Sequence, residues 1–165
     1  VSHGVEVVLD AGPEHAAEAV AVMHRAFAEY AATGLPSGAM TETADTLREE
    51  MAAGTRVALL RVDGRAVAVA KHHPAADGSR YFGRLGVVPE ERGNGHAATL
   101  VRALRADAWA VGLAGLSCLV REDEGGNIAV YQGLGMAVVG RGERRSRTGA
   151  LIRVVEMRDA EASAD

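Results

Sequence analysis

The sequence predicts an α/β fold of the α+β kind, a mixed sheet covered by helices in the order β-α-α-β-β-β-α-β-α-β-β. Three observations carry this. Arg56–Val62 and Arg65–Lys71 are apolar runs separated by Asp63-Gly64, a hairpin signal because both turn residues tolerate the positive φ of a tight primed turn. Leu100, Val101, Leu104, Ala108 and Val111 trace the buried stripe of a long helix that follows a glycine-rich turn. Leu116-Ser117-Cys118-Leu119-Val120 is almost wholly apolar, as expected of a central strand reached by a helical crossover.

The remaining elements follow in order. Val5–Leu9 is a short strand closed by Asp10-Ala11-Gly12-Pro13, and Pro13 suits the first position of a helix because its missing N–H costs nothing there. Ala16, Val20, Met23, Phe27 and Tyr30 recur at helical intervals, which carries this helix to about Ala32 before Gly34-Leu35-Pro36-Ser37-Gly38 breaks it. Thr41 is the expected cap of a second helix, with Glu42 near its positive end, Ala44, Leu47 and Met51 facing inward and Gly54 ending it. A turn at Asp77-Gly78 leads into a strand over Arg80–Val88. Asn127 is expected to cap a short helix containing Ile128, Tyr131 and Leu134. Two last strands, Ala137–Val139 and Ala150–Met157, flank the basic run Arg141 to Arg147, expected as a solvated hairpin tip. One domain over 5–158 is expected, with 1–4 and the small polar tail from Asp159 frayed.

Composition narrows the partners. At 165 residues the chain can bury a core without disulfides or metals, and a net charge of -4 argues against a general nucleic-acid binder. A single cysteine, Cys118, excludes an intramolecular disulfide and a cysteine-based zinc site and fits a reducing, cytoplasmic setting. The sequence shows no run of bilayer length and no signal-peptide pattern, so no membrane partner is expected.

The stretch from Leu85 to Leu100 concentrates the chemistry. It runs from an apolar strand through a turn of charge and glycine into a helix, whose first N–H groups are unpaired and backed by the positive end of the macrodipole. This is a site for an anion, most simply for phosphates. Gly93-x-Gly95-x-x-Ala98 also matches a dinucleotide fingerprint, with Glu122 as the ribose carboxylate of an NAD-dependent oxidoreductase. Pro89-Glu90-Glu91-Arg92 stands between strand and first glycine, however, and the hairpins upstream do not belong to a doubly wound sheet.

Val87-Val88-Pro89-Glu90-Glu91-Arg92-Gly93-Asn94-Gly95-His96-Ala97 resembles the acetyl-CoA signature of the GNAT acetyltransferase superfamily, an Arg or Gln followed by x-x-Gly-x-Gly/Ala. Asn127-Ile128-Ala129-Val130-Tyr131-Gln132-Gly133-Leu134-Gly135-Met136 resembles its second landmark, N-x-x-x-Y-x-x-L-G-F, with Met136 in place of Phe. The element order is similar over nearly the whole chain. The resemblance implies an acetyl-CoA-dependent N-acetyltransferase with no metal, acting on a small-molecule or peptide amine, and it allows a homodimer through the last strands. Backbone N–H groups from Arg92, Gly93, Asn94, Gly95, His96 and Ala97 would hold the pyrophosphate, with the glycines keeping side chains out of the way. The pantetheine arm would pair with Leu85, Gly86 and Val87, Gly86 marking a bulge or a close backbone approach. The N–H near Val87 would face the thioester oxygen.

Tyr131 matches the family tyrosine, whose phenol can protonate or hold the leaving thiolate. Glu122 is the first choice for the general base, ahead of Asp123, Glu124, Glu29 and Tyr30. Asn127 would add a cofactor contact to its capping role. Cys118 reads as a core residue. His72 and His73, adjacent on a strand, point to opposite faces and are expected at a strand end or surface; His96 is expected to face solvent. A non-catalytic acyl-CoA sensor on the same fold is the competing class.

Overall fold

The computed structural model describes residues 4–29, 38–123, 125–145 and 149–160. Its elements run β1 (Val5–Val8), α1 (Ala16–Phe27), α2 (Ala44–Ala52), β2 (Arg56–Val62), β3 (Arg65–Pro74), β4 (Arg80–Val87), α3 (His96–Ala110), β5 (Leu116–Arg121), α4 (Gly125–Gly133), β6 (Met136–Arg145) and β7 (Leu151–Asp159). The strands form a seven-stranded mixed sheet in the order β1-β2-β3-β4-β5-β7-β6. The chain divides into two compact units, Val1–His73 with Arg84–Ala103, and Pro74–Gly83 with Leu104–Asp165. β4 and α3 each begin in one and end in the other.

In the first unit Asp63 and Gly64 carry φ of 51° and 84°, the double left-handed turn the hairpin requires, and β2 and β3 pair in antiparallel register from Val62↔Arg65 to Arg56↔His72. Val57–Leu60 and Val67–Ala70 are buried on both faces, against Ala19, Met23 and Leu47 in the same core. His72 is buried as well, its Nε2 2.6 Å from Leu9 O, so it is not the surface residue expected. The second helix is capped by Thr43 rather than Thr41: Thr43 and Thr46 exchange side-chain-to-backbone hydrogen bonds, whereas Thr41 Oγ1 donates to Gly38 O. Glu42, 5% exposed, therefore lies before the helix, where its carboxylate and that of Glu50 share the Lys71 ammonium. Burial works to raise the Glu50 carboxyl; the Lys71 hydrogen bond and charge, the Glu42 side chain and the Arg84 charge together bring it below the ordinary range. Helix α1 ends at Phe27, short of the expected Ala32, and Tyr30 lies outside the described residues.

In the second unit β6 pairs with β7 out to Arg145↔Leu151. The run from Arg141 to Arg145 is thus strand rather than hairpin tip, since continued pairing satisfies backbone groups that a loop would leave to water. Val111 is 61% exposed, so the inner stripe of α3 stops at Ala108. Of the tail expected to fray, 161–165 lie outside the described residues, and Asp159 itself is held in place. Its carboxylate accepts from Arg105 Nε (3.0 Å), Arg105 Nη2 (2.6 Å) and the Leu116 N–H (2.9 Å), and Arg105 also donates to Leu134 O. A bidentate pair this far from water has no solvent to replace it, so its geometry ties helix, strand start and turn into one arrangement.

Asp159→Asn leaves the Arg105 guanidinium buried without its counter-charge and should lower unfolding free energy by about 3–5 kcal/mol in urea denaturation, with the family of exposed ion pairs such as Arg48–Asp45 contributing far less when broken.

Candidate functional site

The glycine turn lies in the first unit. Beyond β4, Val88 is buried and donates its N–H to Val67 O at 2.9 Å, which pins the strand end. Pro89–Glu91 make one 3₁₀ turn, closed by the Arg92 N–H on Pro89 O at 3.3 Å, so Arg92's own N–H is already engaged. Gly93 and Gly95 follow with φ of 85° and 78°. A Cβ at either would meet nothing within 4 Å; it is the left-handed backbone, more than the space, that selects glycine here. The first bond of the α3 ladder is Thr99 N–H to Gly95 O at 3.0 Å. The N–H groups of His96, Ala97 and Ala98 therefore precede the ladder and emerge at the positive end of a fifteen-residue helix.

Side chains hold this turn in place. Arg92 donates Nε to Val87 O (3.2 Å) and Nη2 to Ala26 O (2.9 Å), and Nη2 lies 2.7 Å from Glu29 Oε1. Glu91 Oε1 takes Asn94 Nδ2 at 3.4 Å and His96 Nε2 at 3.1 Å. His96 is consequently 8% exposed and does not face solvent as expected, because Glu91 draws the ring in beneath the turn. Glu90 pairs with Arg25; its carboxyl is held below the ordinary range first by the backbone hydrogen bond of its own residue and then by that guanidinium.

Leu85, Gly86 and Val87 are half-buried at the end of β4. A Cβ on Gly86 would lie 2.7 Å from Ala26 Cβ and 2.8 Å from Phe27 Cε2, so the close approach marked by this glycine is that of α1. The left-handed residue of the strand is two positions earlier: Arg84, at φ 53°, costs about 1–2 kcal/mol of backbone strain. No feature of the sequence marks it, since Arg has no preference for that conformation.

The second unit holds the rest. β4 and β5 run parallel, and among the described residues their recorded pairing is confined to Arg80↔Leu116 and Tyr81↔Ser117. β5 continues to Arg121 on its other side against β7, so its residues beyond Ser117 have lost their β4 partners. Tyr131, 9% exposed, stands edge-on to Phe82, with ring centroids 5.6 Å apart and planes at 86°. This contact fixes the plane of the phenol. Glu122 Oε1 accepts from Arg141 Nη1 at 2.6 Å, and Asp123 Oδ1 lies 3.4 Å from Arg121 Nε. Glu124 is outside the described residues. Asn127 is the third residue of α4 and exposed, not its cap, because Gly125 and Gly126 begin the helix before it. Cys118 is 3% exposed, and burial, with the Asp159 charge second, pushes its thiol up to about 12. Among the described residues no group of three metal-ligating side chains gathers, and no helix is long and apolar enough to cross a membrane.

A mixed sheet whose strand turns through two left-handed glycines into a helix with open N-terminal N–H groups is an α/β arrangement with backbone donors gathered at one point. The chain belongs to the acetyltransferase (GNAT) family, whose model matches residues 20–136. A search of curated protein sequences gives no significant match. Similar solved structures include the ribosomal-protein-S18-alanine N-acetyltransferase of Escherichia coli, at 18% identity over 98% of this chain and 97% of that one, with a TM-score of 0.77. A spermidine N-acetyltransferase chimera from Vibrio cholerae and hSSAT is 14% identical over 94% of each chain, TM-score 0.75. The structure of yncA from Salmonella typhimurium with its cofactor acetyl-CoA is 15% identical over 98% of each, TM-score 0.71.

Gly95→Ala forces a Cβ into the left-handed region and should destabilise the turn by about 1 kcal/mol while weakening coenzyme A binding in calorimetric titration; Gly126→Ala, whose new methyl meets nothing within 4 Å, should leave binding unchanged.

Proposed function

We propose that this chain is an N-acetyltransferase that passes the acetyl group of acetyl-CoA directly to an amine, without a covalent acyl-enzyme. The observation that supports it best is the pair of left-handed glycines opening α3, in a chain of this family. Open N–H groups at His96, Ala97 and Ala98 and the absence of any atom within 4 Å of a Cβ at Gly93 or Gly95 fit a bound pyrophosphate. Acetyl-CoA, when bound, supplies the thioester that the amine attacks.

The chain's own residues then have three tasks. The N–H near Val87 polarises the thioester oxygen as charge develops there. Tyr131, its ring plane set by Phe82, presents its phenol to the departing sulfur and donates the proton that the thiolate needs. Glu122 takes the amine's proton through water; its pairing with Arg141 keeps the carboxylate oriented but also competes for it. The acceptor is a small-molecule or peptide amine, a range that the names of two structurally similar proteins, a ribosomal-protein-S18-alanine N-acetyltransferase and a spermidine N-acetyltransferase, support.

Thiol release from acetyl-CoA in the presence of an amine panel tests the reading, and binding without turnover would replace it by a sensor. Tyr131→Phe should lower kcat about ten- to a thousandfold with acetyl-CoA affinity nearly unchanged. Glu122→Gln should lower the plateau of the pH–rate profile and remove its alkaline-side rise; an unaltered profile assigns the proton to another group.

A further inference from the structure

Among its described residues the first unit contains a cation without a hydrogen bond or ion pair, Arg84. Arg84 sits in the left-handed conformation, φ 53°, within β4, three residues and therefore about 10 Å along the strand before Val87. Its Nε is sealed from water without a hydrogen-bond partner, and neither terminal nitrogen makes a hydrogen bond or ion pair to any described residue. The nearby acids Glu42 and Glu50 share the single Lys71 ammonium, and Arg84 adds to the stabilisation of Glu50 only through its field, without a hydrogen bond to either acid. The guanidinium instead lies against Gly38, where a Cβ would come within 2.6 Å of Nη2. Gly38 opens the turn leading to α2. The left-handed backbone at Arg84 is strained, and its side chain carries a planar fork of donors up to a glycine that leaves room for it.

We infer that Arg84 selects the acceptor, and that the acceptor is an amine carrying a carboxylate, as in a free amino acid. With Nε sealed, a carboxylate meets the guanidinium end-on through Nη1 and Nη2, a bidentate match that an ammonium or a polyamine lacks. Gly38 is a positioning residue, since any side chain there displaces the fork. This inference rests on the acetyltransferase reading, and it names the substrate class of that same site.

The test measures thiol release from acetyl-CoA with the twenty common amino acids, each against its α-carboxamide, together with acetyl-CoA affinity by calorimetry. The wild-type protein should prefer the carboxylate in kcat/KM, and Arg84→Gln should reduce that preference by about 10- to 100-fold, chiefly in KM, with acetyl-CoA affinity unchanged. Arg84→Lys, which keeps the charge and loses the fork, should recover only part of it, and Gly38→Ala should reproduce the KM defect. Equal use of acids and amides by the wild type, or an unchanged preference in Arg84→Gln, overturns the inference while leaving the transferase reading intact. Weakened acetyl-CoA binding in Arg84→Gln also overturns it and assigns the guanidinium to cofactor phosphate. If acetyl-CoA binds and no amine is turned over, the transferase reading falls by itself. Direct titration with the amino acids then decides Arg84: binding by wild type and not by Arg84→Gln supports it, and no binding overturns it.

Discussion

Arg92 holds the turn on which the phosphate reading depends. One guanidinium binds the carbonyl of Val87 at the end of β4, the carbonyl of Ala26 near the end of α1 and the carboxylate of Glu29. Hydrogen bonds from a charged donor are worth about 1.5–3 kcal/mol each where water is scarce, and here they fix the point at which strand becomes loop. Without that anchor the two left-handed glycines would be a flexible hinge, and the helix terminus behind them would have no constant direction. The side chain is partly exposed, so the anchor is strongest as geometry and weaker as energy.

The second unit has its own fixed point in Arg105 and Asp159. That pair closes the chain's last strand onto the start of β5, where Gly115, at φ 106°, would bring a Cβ within 2.8 Å of the same carboxylate. The carboxylate thus settles the start of the strand whose far end parts from β4. Tyr131 acquires its orientation separately, from an aromatic contact with a fully buried Phe82.

Element order, the Asp63-Gly64 hairpin, the glycine turn and the buried strand at Leu116 were legible in the sequence because each depends on local periodicity or on residues with special backbone freedom. What was not legible depends on partners distant in sequence. Thr41 and Thr43 are chemically alike, and only the reciprocal bond with Thr46 makes the second one the cap. His96 is drawn inward by Glu91, and Asp159 looks like a polar tail residue until Arg105 meets it. The strain at Arg84 has no local signature at all, since Arg has no preference for the left-handed conformation it adopts. Among the site residues, the motif positions at Gly93, Gly95 and Tyr131 came from pattern, whereas the pairing of Glu122 with Arg141 joins β5's end to β6 and required the fold.

Cys118 carries a consequence of a different kind. It is the chain's one cysteine, buried in β5 with its thiol pushed up to about 12, so at neutral pH it offers neither access nor thiolate. The folded protein is therefore optically silent toward thiol-reactive dyes. A slow rise of colour with such a dye reports the fraction of molecules that have opened.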